Sequence, residues 1–205
     1  MSEWHATDKV ADYRARAGRI PHRSEGEAVL VELLPPRVER VLDLGCGDGR
    51  LLGTVRAYRS SSPAVALDFS PPMLEEARRR FEGADGVQVV EHDLSEPLPD
   101  LGSFDLVVSS FAIHHLEDER KRSLYGEVFD LLEPGGTFLN LEHVSSPTQP
   151  LHERFLQELG EPEDPSNRLL DIETQLGWLR ELGFEDADCH WKWREMALLA
   201  GVKPA

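Results

Sequence analysis

Short apolar runs alternate along this chain with longer amphipathic stretches. The short runs predict strands, and the amphipathic stretches predict helices. The predicted strands are Arg40–Leu44, Ala64–Asp68, Val87–His92, Phe104–Ser109 and Thr137–Glu142. The predicted helices are Arg50–Tyr58, Pro72–Phe81 and Glu119–Leu132. Strands that alternate with helices in this way are typical of an α/β domain with a mostly parallel sheet.

Local turn signals mark two of the element boundaries. Ser70 followed by two prolines is typical of a helix start, with Ser70 as the N-cap and proline in the first turn. The segment Glu133-Pro134-Gly135-Gly136 is expected to end one helix and to turn into the next strand.

Two regions lie before and after this core. Before the first strand, two helices are predicted, at Thr7–Arg16 and Ser24–Leu34. After Glu142 comes a stretch rich in proline and acidic residues, Ser145 to Pro165, with a predicted helix from Leu151 to Leu159.

The last part of the chain is predicted to form a helix and a hairpin. The helix is Asp171–Leu182, and the two hairpin strands are Ala187–Arg194 and Met196–Val202. Trp191 and Trp193 alternate with polar residues, so both are expected on one buried face, as core residues rather than as a substrate platform.

Length and charge limit the classes of protein. The 205 residues are expected to form one domain. With 38 acidic and 22 basic residues the formal net charge is −16, which makes nucleic acid an unlikely partner because phosphate binding rests on Lys and Arg. Arg14, Arg16, Arg19 and Arg23 could still form a basic patch, although a solvated helix face is the simpler interpretation.

Other features bear on location and oxidation state. No apolar run reaches the length of a membrane span, and the first residues lack the pattern of a signal peptide. Cys46 and Cys189 have neither the number nor the spacing of a disulfide framework or a zinc site, so no metal is expected. These observations predict a cytoplasmic protein, monomeric or homodimeric, that does not act on membranes.

The segment Val41–Arg50 carries the most specific chemical signal. An apolar strand runs directly into three alternating glycines, and a helix follows. Glycines there allow a tight turn and the close approach of a ligand, and the helix N-terminus supplies free N–H groups. The Gly-x-Gly-x-x-Gly spacing of dinucleotide sites fails, because its third glycine would fall on Arg50 or Leu52.

The arrangement Asp43-x-Gly45-x-Gly47-x-Gly49 resembles motif I of the class I S-adenosylmethionine-dependent methyltransferases. The resemblance continues in order along the chain, at Asp68, at residues 92–94, at residues 104–110, at residues 114–116 and at residues 132–136. It implies S-adenosylmethionine as cofactor and S-adenosylhomocysteine as product. The implied fold is a Rossmann-like, seven-stranded, mostly parallel sheet with a reversed C-terminal hairpin, helices on both faces and an N-terminal helical lid.

The resemblance also implies a division of one methyltransferase domain, residues 1–205. Residues 1–37 would form the lid and residues 38–143 the cofactor-binding core. Residues 144–170 would form an insertion that roofs the substrate, and residues 171–205 the last helix and the hairpin.

A set of cofactor-binding residues follows from the same resemblance. In the core they are Asp43, Gly45, Cys46, Gly47, Asp68, Phe69, Met73, Asp93, Leu94 and Ser110. In the lid they are Tyr13 and Arg19, since residues 13–21 are similar to a segment that covers the cofactor in several members, including carboxy-S-adenosylmethionine synthases. Asp68 would bind the ribose and Asp93 the adenine, and the alternatives are a helix cap for Asp68 and a turn residue for Asp93.

Three histidines are candidates for catalysis. His114 and His115 follow the fourth strand and His143 leaves the fifth, at the carboxyl edge where open α/β sheets bind ligands. A hydroxyl or ammonium acceptor must lose a proton, and histidine is best matched to that task near neutral pH. His115 is the first choice as general base, and packing against the following helix is the alternative role for His114 and His115.

The sequence therefore predicts transfer of the sulfonium methyl group to an oxygen or nitrogen of a small-molecule acceptor by in-line displacement. Two alternatives stay open. One is a tRNA-modification-related methyltransferase or a carboxy-S-adenosylmethionine synthase, which residues 13–21 favour and the charge opposes. The other is a cofactor-binding protein without catalysis, since a fold alone does not fix function.

Overall fold

The computed structural model describes residues 20–59, 62–160 and 162–205. The strands in these ranges are β1 (Val41–Leu44), β2 (Ala64–Asp68), β3 (Val87–Glu91), β4 (Phe104–Ser110), β5 (Leu132–His143), β6 (Glu185–Trp193) and β7 (Met196–Val202). The helices are α1 (Arg23–Glu32), α2 (Arg50–Tyr58), α3 (Pro71–Arg80), α4 (Asp118–Leu131), α5 (Gln149–Leu159) and α6 (Ile172–Leu182), with a 3₁₀ turn at Ile113–His115. The helix predicted at residues 7–16 lies outside the described residues.

The seven strands form one sheet in the order β3-β2-β1-β4-β5-β7-β6. Strands β1 to β5 run parallel, whereas β7 is antiparallel to β5 and to β6. The predicted Rossmann-like sheet with a reversed C-terminal hairpin is confirmed. The strand order reverses between β1 and β4, and the carboxyl ends of these strands are where such sheets bind ligands.

Apolar side chains cover both faces of the sheet. On one face α4 and α6 pack through residues such as Leu124 and Leu179. On the other face α1, α2 and α3 pack through residues such as Leu30, Leu52 and Leu74. Among the helices described, none is both long enough and apolar enough to cross a membrane.

Strand β5 begins earlier than the sequence predicts. The expected strand started at Thr137, but β5 starts at Leu132, so the predicted turn at residues 133–136 lies inside it. These four residues oppose a single residue of β4, Asp105. Such a bulge tolerates a proline and the positive φ of 79° at Gly135, which is why turn-forming residues occur within a strand here.

A second bulge, at His190 in β6, changes the face on which the side chains lie. Cys189 pairs with Leu199 and packs on the α6 side of the sheet, whereas Trp191 packs on the α1 side. Trp191 and Trp193 are both half-buried. The predicted tryptophan face therefore lies at the edge of the core rather than inside it.

Candidate functional site

Neighbouring segments hold the loop after β1 at the carboxyl edge of the sheet. The N–H of Cys46 donates to the carbonyl oxygen of Leu67 in β2 at 2.7 Å. A Cβ on Gly45, where φ is 66°, would lie 2.2 Å from the Cβ of Ala112. Glycine is therefore required at position 45, and the segment that follows β4 lies directly against the loop.

Gly47 faces space that the described residues leave open. Its φ is 54°, and a Cβ placed on it would have the Sδ of Met73, at 4.0 Å, as its nearest neighbour. The N–H of Gly47 donates to Oδ2 of Asp68 at 2.8 Å. The backbone of Gly47, the thioether of Met73 and the carboxylate of Asp68 therefore line this space.

Asp68, the last residue of β2, is buried and accepts two backbone hydrogen bonds. Its Oδ2 accepts the N–H of Gly47 and its Oδ1 accepts the N–H of Ser70, both at 2.8 Å. Burial raises the pKa of Asp68, and these backbone donors oppose the rise. Ser70 holds the predicted N-cap position of α3, but its side chain makes no capping hydrogen bond. A carboxylate offers about four acceptor positions, so Asp68 retains capacity for a ligand.

Asp43, in β1, is only 1% exposed. Neither carboxylate oxygen has a well-formed hydrogen bond to a described residue. Burial raises the pKa of Asp43 to about 7, Asp68 and Asp48 add to the rise, and the backbone N–H of Leu52 opposes it. Buried polar groups are normally paired, so an unpaired carboxylate at the base of this loop suits a cationic group of a ligand.

Replacing Asp43 by Asn is expected to raise the free energy of unfolding at about pH 8 by about 2–4 kcal/mol. The folded protein keeps a proton on Asp43 that the unfolded chain releases above about pH 4. The contribution of Asp43 to stability therefore falls as the pH rises from about 4 through 7, and it is level above that range. The variant lacks this contribution, whereas that of the other buried carboxylates stays. Urea unfolding of both proteins across this range measures the difference.

Asp48→Asn is the matched control for this experiment. Asp48 forms an ion pair with Arg80 at 2.8 Å, so its removal is expected to bring no gain at high pH. Equal gains in the two variants would mean that relief of the net charge of −16, and not the burial of Asp43, causes the effect.

The other predicted cofactor residues surround the loop to different degrees. Leu94 is buried, and its Cδ1 lies 3.7 Å from the position of a Cβ on Gly45. Cys46 is buried, and burial raises its thiol pKa. Asp93 is exposed, and its Oδ1 accepts the N–H of Ser95 at 2.8 Å. This hydrogen bond is typical of a turn residue, which is the alternative role that the sequence left open for Asp93.

Four further predicted residues complete the set. Phe69 is half-buried between β2 and α3. Ser110 ends β4, and its buried Oγ has no hydrogen-bond partner in the described part of the chain. Tyr13 and Arg19 lie outside the described residues.

The three predicted histidines lie together at the carboxyl edge. His114 and His115 belong to the 3₁₀ turn after β4, and His143 is the last residue of β5. The ring centroid of His114 lies 4.0 Å from that of His115 and 5.5 Å from that of His143. These three residues are called the histidine row below. Ala112 packs on Gly45, and His114 follows Ala112 by two residues, so the histidine row starts close to the glycine loop.

A buried glutamate binds His114. Nδ1 of His114 lies 2.5 Å from Oε1 of Glu142. The same oxygen accepts the backbone N–H of His143 at 2.8 Å, and the buried Oε2 has no partner among the described residues. Burial raises the pKa of Glu142 to about 7 and lowers that of His114 well below its ordinary value.

His115 contacts the segment that returns from α5. Its Nδ1 lies 3.1 Å from Oγ of Ser166, and that hydroxyl donates to Oδ1 of Asp164 at 2.7 Å. The Ser166 hydroxyl has one proton and donates it to Asp164, so it can only accept from His115. Nδ1 of His115 is therefore protonated and donates to Oγ of Ser166. Burial lowers the pKa of His115 to about 4.

A second buried glutamate joins His143 to α5. Glu195, in the turn between β6 and β7, is 0% exposed. Its carboxylate lies 3.0 Å from Nε2 of His143 and 3.0 Å from Nδ1 of His152. Within the described ranges, no group of three or more His, Cys, Asp or Glu side chains is arranged to hold a metal ion.

Sequence reasoning missed both glutamates. A signal existed for Glu142, because it ends a predicted buried strand and an ionised residue there calls for a partner. Glu195 offered none, because an acidic residue in a short hairpin turn ordinarily faces water.

Known methyltransferases are similar to this chain in sequence. A family model described as a methyltransferase domain matches residues 41–136. A demethylmenaquinone methyltransferase of Clavibacter sepedonicus is 34% identical over 192 residues, which cover 83% of this chain and 76% of the relative. A carboxy-S-adenosyl-L-methionine synthase of Klebsiella pneumoniae is 25% identical over 99% of this chain and 92% of its own length.

A solved structure shares the fold. An O-methyltransferase family protein from Burkholderia thailandensis superimposes with a TM-score of 0.72 and 20% identity over 90% of this chain. The chain covers 56% of that protein, and it spans about half the length of several curated methyltransferases that it matches.

Proposed function

Because the chain belongs to the class I S-adenosylmethionine-dependent methyltransferases, we propose that it moves the sulfonium methyl group to an oxygen or nitrogen of a small-molecule acceptor. The observation that carries the proposal is the open face over Gly47, which lies beside the buried carboxylate of Asp68. A second buried carboxylate, that of Asp43, lies in the strand that leads into the same loop. S-adenosylhomocysteine is the accompanying product.

The residues around the loop fit this cofactor group by group. The unpaired carboxylate of Asp43 suits an amino group, and the remaining acceptor positions of Asp68 suit the two hydroxyls of a ribose. Leu94 and Met73 supply apolar surface for a heterocycle. When bound, the cofactor supplies a methyl group on a positively charged sulfur that leaves as a neutral thioether.

The chain's own contribution is to align the reactants and to exclude water. Residues 162–170 cross the edge of the sheet over the histidine row. The N–H of Arg168 donates to the carbonyl oxygen of His114 at 2.8 Å, and Nζ of the buried Lys121 donates to the carbonyl oxygen of Arg168. This cover supports the proposal that residues 144–170 roof the acceptor.

One of the three histidines is proposed to take the proton of the acceptor. His115 is the first choice from the sequence, and its pKa of about 4 keeps it neutral at neutral pH. A base with so low a pKa is a weak one. Burial lowers the pKa of His114 as well, but Nδ1 of His114 lies 2.5 Å from the buried carboxylate of Glu142, which stabilises a protonated ring. His143 lies against a second buried carboxylate, that of Glu195.

The test is release of S-adenosylhomocysteine in a single turnover across a panel of small-molecule acceptors, after calorimetry with S-adenosylmethionine and NAD. The panel includes a demethylmenaquinone analogue, because the Clavibacter relative is named for that acceptor. Binding of S-adenosylmethionine and release with one acceptor is the expected result. Heat with NAD alone would overturn the proposal.

The same preparation separates the alternatives. A gel shift with bulk tRNA would favour a tRNA-modification role, and a carboxylated cofactor found by mass spectrometry would favour the synthase that the Klebsiella relative represents. Cofactor binding without release across the whole panel would favour a protein that binds but does not catalyse.

Asp68→Ala is expected to weaken S-adenosylmethionine binding by about 1.5–3 kcal/mol, the scale for losing hydrogen bonds to a charged group. The loss should appear in the calorimetric Kd. Asp93→Ala is the control, because Asp93 is exposed and already occupied in a turn, so a smaller loss is expected. Unchanged affinity in Asp68→Ala would mean that another residue binds the ribose.

A further inference from the structure

Glu142 lies where a carboxylate is costly. It is 1% exposed, and strand alternation puts it on the same face of β5 as Asn140 and Phe138, the face that packs against α4 and α6. Placing one ionised group in such a layer costs several kcal/mol unless partners offset it. No lysine or arginine is within ion-pair distance of Glu142 in the described part of the chain, and its one side-chain partner is His114.

The contacts of Glu142 fix its direction. Oε1 accepts the backbone N–H of His143 at 2.8 Å, which holds the carboxylate against the end of its own strand. The same oxygen lies 2.5 Å from Nδ1 of His114, so the ring meets a rigidly held acceptor. A histidine whose Nδ1–H donates to a carboxylate keeps its lone pair on Nε2.

We propose that Glu142 is a positioning residue that holds His114 as the Nδ1–H tautomer, and that Nε2 of His114 accepts the proton of the methyl acceptor. The proposal rests on the proposed function, and it assigns to Glu142 a role in proton removal. No hydrogen bond to Nε2 of His114 occurs among the described residues.

The proton balance is simple. The O–H or N–H bond of the acceptor breaks, its electron pair forms the bond to the incoming methyl carbon, and the proton passes to Nε2 of His114. The Nδ1–H stays on the ring and donates to Glu142. The pair therefore gains one proton in each turnover and returns it to water before the next.

The location of His114 agrees with this role. The 3₁₀ turn that carries it begins directly after Ala112, which packs on Gly45 of the loop. The turn is covered on the other side by Arg168, whose N–H binds the carbonyl oxygen of His114. The turn that carries the ring is therefore held between the loop and the cover.

The pH dependence follows from the charges that face the pair. Burial raises the pKa of Glu142 to about 7, so the form of the pair that can accept a proton increases as the pH rises through that value. The other groups facing the pair are His115, His143, Lys121, Tyr125 and Asp164. The rate is expected to rise with pH through about 7 and then to level off.

The test compares Glu142→Gln with the wild type in single-turnover release of S-adenosylhomocysteine. Gln keeps the size of the side chain but removes the charge. We expect the single-turnover rate constant to fall about 10²-fold and its rise through pH 7 to disappear. The affinity for S-adenosylmethionine is expected to stay unchanged. Glu142→Asp restores a carboxylate and is expected to recover part of the rate and the pH dependence.

Glu195→Gln is the matched control, because it removes the other fully buried carboxylate, which binds His143 and His152. It is expected to retain the rise through pH 7. The ¹⁵N shifts of the histidine rings provide a readout without turnover, since His114 should show a single Nδ1–H tautomer that becomes mixed in Glu142→Gln.

Two outcomes would overturn the inference while leaving methyl transfer intact. One is an Nε2–H tautomer of His114 in the wild type. The other is a Glu142→Gln variant that binds the cofactor and keeps the rate and pH profile of the wild type. A wild-type protein that binds no S-adenosylmethionine would instead remove the proposed function itself.

Discussion

Gly47→Val is expected to abolish binding of S-adenosylmethionine while the protein still folds. Apart from its chain neighbours, no described residue has an atom nearer than 4.0 Å to a Cβ at this position, so the new side chain enters space that the described part of the fold leaves open. That space lies beside Asp68 and over bare backbone, where we propose that the ligand lies. The loss should appear as an absence of calorimetric heat, with thermal unfolding still cooperative.

Gly83→Val supplies the matched control. Gly83 also has a positive φ, of 74°, and within the described ranges no residue beyond its chain neighbours has an atom within 4 Å of a Cβ there. Both variants carry the same backbone strain, on the order of 1–2 kcal/mol. We expect both to lose some thermal stability and only Gly47→Val to lose the cofactor. Binding that survives in Gly47→Val would move the ligand away from this loop.

His114→Asn is expected to lower kcat by about 10²–10⁴-fold, and His115→Asn by less than about tenfold. An asparagine amide can still donate to Glu142, so the buried carboxylate keeps a partner, but it offers no basic nitrogen. His115 has a pKa of about 4 and contacts Ser166, which suits a role in holding the returning segment. Rates near pH 8, measured with saturating cofactor, give the comparison.

The reverse order of effects would restore His115 as the general base. Equal, small effects would leave catalysis to the alignment of donor and acceptor alone. Cofactor affinity serves as the internal control, because neither ring belongs to the loop that we propose binds the cofactor.

Much of the fold could be predicted because it depends on local patterns. The strand predicted at residues 64–68 has the same bounds as β2 in the structure. All five of its residues are buried, as a short apolar run in the middle of a sheet predicts. The bulges of β5 and β6 could not be predicted. Residues 133–136 favour a turn locally, but Leu132 and Thr137 on either side pair with β4, and Gly135 and Gly136 form backbone hydrogen bonds with Lys203. The bulge at His190 likewise has no local signal, because apolar and polar residues alternate without interruption on both sides of His190.

The candidate site likewise has a part that local sequence predicts and a part that depends on contacts between distant residues. The glycine loop is a local signal, and its residues could be named from their spacing alone. The pairing of His114 with Glu142 joins positions 28 residues apart, and the contact depends on where β4 and β5 end. The position of Glu142 at the end of a predicted buried strand signals its burial, but nothing in the sequence pattern identifies His114 as its partner. The roles of residues 1–37 and 144–170, the cytoplasmic location and the monomer or homodimer stay predictions.

The position of Glu195 has a consequence for exchanging parts between relatives. Its carboxylate binds His152 in α5 and His143 at the end of β5, although the turn that carries it lies near the end of the chain. Phe155 of α5 also packs against His143 and Trp193, the last residue of β6. A hybrid protein that receives residues 144–170 from a relative, but keeps its own hairpin, would lose one partner of this buried carboxylate unless the incoming helix carries a histidine at position 152. The two segments are distant in sequence, yet they would have to be transplanted together.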